Sequence, residues 1–173
     1  MLAFAQDEQP FMATTMLQNM ERLQQESQRQ MPDVAANWQA RAELRAAPNG
    51  GDQVWLHVQA QMSMPLACQR CMGPVLVPLA VDQWFRFVDT EDTAMAQDDA
   101  CDEDLLVMAP QVDLLALVED ELLMAIPLVP MHDECPVAPQ ISAGAITQSE
   151  LLHAAPEHKP NPFAALAQLK KAR

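Results

Sequence analysis

Cys68 and Cys71 stand two residues apart in "CQRCMGP", residues 68–74, a spacing that serves either a redox dithiol or half of a metal knuckle. A thioredoxin-type pair lowers its thiol pKa at a helix N-terminus. The residues after Cys71, "MGPVLVPL", instead alternate like a strand, with Gly73 and Pro74 finishing a turn. This argues against redox chemistry. A metal knuckle tolerates such a turn but needs two further donors, and "PMHDECP" offers His132 and Cys135 three residues apart. Cys68, Cys71, His132 and Cys135 together make a Cys₃His set suited to zinc. The alternative, reduced and half-buried thiols with no metal, stays open at this level. Cys101 lies in a strongly acidic stretch and is a poorer donor. His57, on the polar parity of a strand, and His153 and His158, in a Pro-rich stretch, read as surface residues.

Other chemistry is thin. The chain holds four glycines and shows no phosphate-cradling loop, serine-nucleophile motif or paired carboxylates in an apolar cleft. Glu119, Asp120 and Glu121 read as the wet side of a helix. A zinc-dependent hydrolase would need an open metal position and a base, and no residue presents itself as either. The expectation is a protein that is not an enzyme.

The elements that must position these groups follow from periodicity. Met16, Met20, Leu23 and Met31 recur at helical spacing, with Thr14 or Thr15 as cap, which predicts an amphipathic helix over 12–31. The period then switches to two. Val34, Ala36, Trp38, Ala40, Ala42 and Leu44 form one face of a strand, Val54 to Leu66 a second, and Val75, Val77, Leu79, Val81, Phe85 and Phe87 a third. "APNGGD" supplies turn chemistry between the first two, and the Cys68–Cys71 pair tips the hairpin between the second and third. "EDLLVMAP" is short enough for a fourth strand. A helix capped by Asp113 follows, with Leu115, Val118, Leu122 and Ile126 as its stripe and Pro127 as its end. "KPNPFAALAQLKKAR" restarts a short helix with Asn161 as cap, Pro162 at its first position, and Phe163, Leu166 and Leu169 facing inward. The expected fold is α+β, a small antiparallel meander of three to four strands flanked by an N-terminal helix, an acidic helix and a short C-terminal helix.

With 173 residues, half of them apolar, the chain suits one domain and an added arm. Residues 1–31 are expected as a helical arm and 32–173 as one α+β domain, with an acidic loop near 89–104 and an irregular stretch near 131–158. The longest apolar runs, such as "LLMAIPLVP", are too short to span a membrane. The start "MLAFAQDEQP" lacks a basic n-region, which points to the cytoplasm and to reduced thiols.

Charge is placed unevenly. Between Asp82 and Glu134 there are fifteen acidic residues against the single basic Arg86, so this segment carries the whole net charge of -14. Its densest part, "DTEDTAMAQDDACDED", lacks hydrophobic periodicity and reads as a mobile loop. It serves either as a solubiliser or, through Asp98, Asp99, Asp102, Glu103 and Asp104, as a docking surface for a basic partner.

The order of "RL" on a first helix, "CQRC" between strands, "VDLLALVEDELLMAIPLVPMHDEC" and a terminal "KPNPFAALAQLK" resembles the bacterial YceD family of large ribosomal RNA subunit accumulation proteins, from about Leu23 onward. The resemblance implies a non-enzymatic role in synthesis, processing or stability of 23S rRNA, as in plant plastid relatives. With only ten Lys and Arg residues, phosphate neutralisation is limited. That favours action through a basic ribosomal protein or assembly factor. The alternative is a direct RNA-binding module using Arg41, Arg45 and Trp55, with Trp84 also on the polar parity.

Overall fold

Alternation of apolar and polar residues over three long segments leaves the chain little choice but a sheet with one greasy face. In the computed structural model, which describes residues 1–7, 9–28, 33–47 and 50–137, that sheet has five strands in the order β1-β2-β3-β4-β5. These are β1 (Phe11–Met16), β2 (Ala35–Ala46), β3 (Asp52–Ala67), β4 (Pro74–Val88) and β5 (Asp104–Val107). Helices α1 (Leu2–Asp7), α2 (Glu21–Glu26), α3 (Glu91–Gln97) and α4 (Leu114–Met124), with 3-10 turns at Leu17–Asn19 and Asp98–Ala100, complete the described elements. The expected α+β class and the meander β2-β3-β4 are present, each pair antiparallel. Residues 138–173 lie outside the described set, and with them the expected C-terminal helix and its inward residues Phe163, Leu166 and Leu169.

The predicted faces point to the core, with Val34, Leu44, Val77 and Val81 half-buried at its margin. Val54, Leu56, Val58, Ala60, Met62, Met64 and Leu66 of β3 are all buried, as are Ala36, Trp38, Ala40 and Ala42 of β2 and Val75, Leu79, Phe85 and Phe87 of β4. Leu17, Met20 and Leu23 from the α2 region and Val118 and Leu122 of α4 join the same core, and Ala5 brings α1 onto it. Burying a Leu or Val side chain of this kind contributes about 1.5–3 kcal/mol. Gly50 and Gly51, at φ 77° and 136°, make the β2–β3 turn in backbone regions that L side chains rarely adopt.

Three expectations are corrected. The helix over 12–31 is instead the edge strand β1, a single 3-10 turn at Leu17–Asn19 and the short α2. The "FMATT" run is rich in aromatic and β-branched residues, and its pairing with β2 outweighs the helical spacing of the methionines. Thr15, expected as a cap, accepts a hydrogen bond from Trp38 Nε1 at 2.9 Å, and Thr14 bonds Asn37 at 2.8 Å. Next, the acidic segment is not a featureless loop. Thr90 caps α3 by accepting from the Thr93 amide, and Arg86 ties the segment down through Gln97 and Glu103. That crossover brings β5 back parallel to β4, where a meander would have been antiparallel.

The last correction concerns α4. Asp113 caps it as expected, accepting from Leu115 and Ala116 amides. Its acidic residues are not all wet, since Glu119 is 7% exposed and Glu121 9%. Burial, with Asp104 and Asp120 nearby, raises the Glu121 carboxyl above its ordinary 4.5. A raised folded-state pKa means the folded chain holds this proton more tightly than the unfolded chain. The associated stability is complete below pH 4.5 and is lost as pH rises through the folded value. Glu121→Gln is therefore expected to raise the melting temperature at pH 7.5, with the gain shrinking to nothing below pH 4.5. Identical melting of the two proteins at pH 7.5 would contradict this.

Candidate metal centre

The long β3–β4 hairpin ends in a tight knuckle because its backbone closes on itself. The Cys68 amide donates to Gly73 O at 2.8 Å and the Met72 amide to Cys68 O at 2.9 Å. Met72 takes the left-handed conformation at φ 60°, which turns the chain into β4. A second segment, just past α4, reaches this tip. Pro130 O accepts the Gln69 amide at 2.9 Å, which sets His132 and Cys135 beside the two thiols.

The structure brings Cys68, Cys71, His132 and Cys135 together, their donor atoms all within 4.8 Å of one another. Cys68 Sγ lies 3.9 Å from Cys135 Sγ, and Cys71 Sγ lies 3.5 Å from His132 Nδ1. A tetrahedral zinc with Zn–S near 2.3 Å and Zn–N near 2.0–2.1 Å has S···S and S···N edges of about 3.8 and 3.6 Å. The Cys68–Cys135 and Cys71–His132 separations match those values. His132 Nε2 lies 2.9 Å from Pro74 O. With Nε2–H donating there, Nδ1 presents its lone pair to the thiols, the outer hydrogen bond that metal-ligating histidines usually make.

The electrostatics suit a thiolate site. Burial pushes the Cys68 thiol up, but the amides of Cys71, His132 and Arg70 and the His132 side chain outweigh it and lower the thiol to about 5. Burial and the neighbouring Cys71 and Cys68 sulfurs raise Cys135 to about 11. One anion is thus favoured without metal, and packing a second beside it is costly, which is the repulsion a divalent cation relieves. Four protein donors fill a tetrahedral zinc sphere, so a zinc held by all four would be structural, with no position left for a reacting water. Cys101 is not in this cluster; its thiol contacts carbonyls of Gln97, Asp98 and Glu103.

The other sequence-selected residues fall at two places. Asp98, Asp99, Asp102 and Asp104 are exposed at the α3–β5 crossover, while Glu103 turns inward to Arg86 at 2.5 Å. Arg41, Arg45 and Trp55 share the sheet face opposite the core. The Arg45 guanidinium lies 4.3 Å from the Trp55 ring centre and 4.1 Å from that of Trp84. His57, read as an isolated surface residue, stacks on Trp84 at 4.2 Å and pairs with Asp82 at 2.6 Å. Its position directly opposite Trp84 in the hairpin register was the signal available in the sequence. Sequence reasoning also missed Glu119, which accepts from the Arg22 and Leu23 amides at 2.8 and 3.0 Å. Its place one helical turn from Leu115 and Leu122, on the apolar stripe, could have revealed it.

The sequence model of the YceD family, described as large ribosomal RNA subunit accumulation protein YceD, matches residues 56–170. Among curated proteins, the large ribosomal RNA subunit accumulation protein YceD of Haemophilus influenzae (strain ATCC 51907 / DSM 11121 / KW20 / Rd) is 35% identical over 118 residues. That alignment covers 65% of this chain and 63% of the relative, so the chain spans less than two thirds of the relative's length. No solved structure matches the chain. The family match takes in both halves of the metal cluster, the acidic crossover and α4, and by it this chain belongs to the YceD family.

Proposed function

We propose that the protein is a non-enzymatic, cytoplasmic factor supporting accumulation of the 23S rRNA of the large ribosomal subunit, and that it does so through a basic protein partner. The relative in Haemophilus influenzae is named for large ribosomal RNA subunit accumulation. The observation that carries the partner reading is the exposed carboxylate group Asp98, Asp99, Asp102 and Asp104, held in place by the capped α3 and by Arg86. Such a patch repels bare RNA and attracts a lysine- and arginine-rich ribosomal protein or assembly factor awaiting its RNA site. Zinc at Cys68, Cys71, His132 and Cys135 then has a structural task, fixing the hairpin tip to the segment after α4.

The test neutralises the patch. Asp98→Asn, Asp99→Asn, Asp102→Asn and Asp104→Asn combined, with Glu103 kept for Arg86, should leave melting nearly unchanged because these side chains are exposed. Recovery of basic partners from extract should fall, along with the salt dependence of what remains, since exposed charges act within about 8 Å at physiological salt. Among the described residues, no helix is long and apolar enough to cross a membrane. Normal partner recovery together with normal 23S rRNA in cells carrying the variant would reduce the patch to a solubiliser.

A further inference from the structure

The sheet face opposite the core carries a ladder that neither the metal cluster nor the acidic crossover uses. Cross-strand register places Arg41, His57 and Trp84 in one tier and Glu43, Trp55 and Arg86 in the next. Gln39, Gln59 and Asp82 form the tier on the other side, followed by Asn37, Gln61 and Ala80. Successive tiers are about 7 Å apart, twice the rise per residue. None of the outward side chains from Asn37 to Arg45, Gln53 to Ser63 and Leu76 to Arg86 is buried. The α3 segment crosses only the Arg86 end.

The composition of this face selects its occupant. Five arginines and no lysine lie among the described residues, and three of the five, Arg41, Arg45 and Arg86, stand here in a chain of net charge -14. Trp55 and Trp84 meet edge to face with centres 6.4 Å apart, and Arg45 lies over both with 39% of its side chain exposed. Indole and guanidinium planes are the surfaces on which unpaired bases stack. Beside them runs an amide row, Asn37, Gln39, Gln59 and Gln61, able to donate to and accept from base edges. It lines a hollow of about 700 Å³, and a second of about 590 Å³ opens between Arg45, Trp55, Arg86 and Gln97. Both fall within the range of small-ligand sites, about 300–1,000 Å³.

We propose that this face binds single-stranded RNA, with bases stacked on the outer planes of the pile that His57, Trp84 and Arg45 make and on Trp55 beside it, and the backbone contacted by Arg41. Glu43, Asp82 and Glu103 offset much of the positive charge, so stacking supplies most of the affinity. Duplex RNA keeps its bases inside its own stack and is refused. This inference rests on the reading that the protein serves large-subunit rRNA, and it adds a direct RNA contact to the protein contact proposed above.

The test uses the full chain and a labelled, unstructured 12-nucleotide RNA, followed by anisotropy and by tryptophan quenching. Single strands should bind at least ten-fold more tightly than the matching duplex. With Arg41 and at most Arg45 neutralising phosphates, log affinity should fall against log salt with a slope of only about -0.7 to -1.4. Trp84→Leu should lower affinity about ten-fold or more, and so should Arg41→Ala, whose exposed side chain can be removed without disturbing the core. Equal affinity for the duplex, unchanged affinity in Arg41→Ala and Trp84→Leu, or loss only in Lys170→Ala with Lys171→Ala would overturn the proposal. If deleting the protein lowers 23S rRNA yet the purified chain ignores RNA, only this inference fails. If deletion leaves 23S rRNA unchanged, the underlying reading fails even where RNA binding is seen.

Discussion

Protein purified in the presence of zinc is expected to carry about one metal ion per chain, and Cys71→Ser is expected to lose both the metal and several kcal/mol of stability. Structural zinc in small peptides contributes an apparent 10–16 kcal/mol at neutral pH because nothing else folds them. Here the sheet has its own core around Leu56, Met64 and Phe85, so the loss should be smaller and local. The hairpin tip and the segment bearing His132 and Cys135 are otherwise joined by the Gln69–Pro130 backbone bond and the contact of His132 Nε2 with Pro74 O. Hydrogen exchange should therefore rise at residues 68–73 and 130–136 before it rises in β3 and β4. Chelation should act in the same way on the unaltered protein. Uptake should also weaken as pH falls, because Cys135 enters the site as a thiol held up at about 11 and must release its proton to bind. Metal-free protein whose melting is insensitive to both chelator and Cys71→Ser would remove the zinc reading.

How much of this was legible beforehand depended on the distance over which each signal acts. Strand faces are local: a period of two in β3 needs no knowledge of its neighbours, and every predicted inward residue from Val54 to Leu66 is buried. The "CQRC" knuckle was placed correctly at the hairpin tip for the same reason. That "PMHDEC" meets it could be guessed from ligand chemistry, whereas its approach depends on α4 packing Val118 and Leu122 onto the core, a contact no local pattern encodes. The 12–31 helix failed where a nonlocal partner decided the outcome. Phe11–Met16 gains six residue pairs with β2 as a strand, and nothing in its own spacing announces that edge. The acidic segment misled differently, since high charge density was read as disorder, although Thr90 and the lone Arg86 supply a cap and an anchor.

Glu119→Ala should cost about 3 kcal/mol or more, the largest loss expected from any single carboxylate in the described residues, while Asp120→Ala should cost less than about 1 kcal/mol. The difference comes from what each carboxylate satisfies. Helix α2 is preceded at its N-cap by Met20, which has no side-chain oxygen to accept the free amides of the first turn. Glu119 replaces the missing cap from 97 residues away, taking the Arg22 amide at 2.8 Å and the Leu23 amide at 3.0 Å with one oxygen. Its other oxygen receives the Arg22 guanidinium at 3.2–3.3 Å. Leu23 is fully buried, so its amide has no water to turn to once the carboxylate is gone. Asp120 meets the same Arg22 from an exposed position, where solvent screens the pair. Glu119→Gln separates the two contributions: its carbonyl oxygen can still accept from an amide, while the ion pair is lost, so it should recover part of the stability lost in Glu119→Ala. Melting of Glu119→Ala within a degree of the parent, or Asp120→Ala as damaging as Glu119→Ala, would show that the α2–α4 contact is held by Met20, Leu23 and Val118 packing instead.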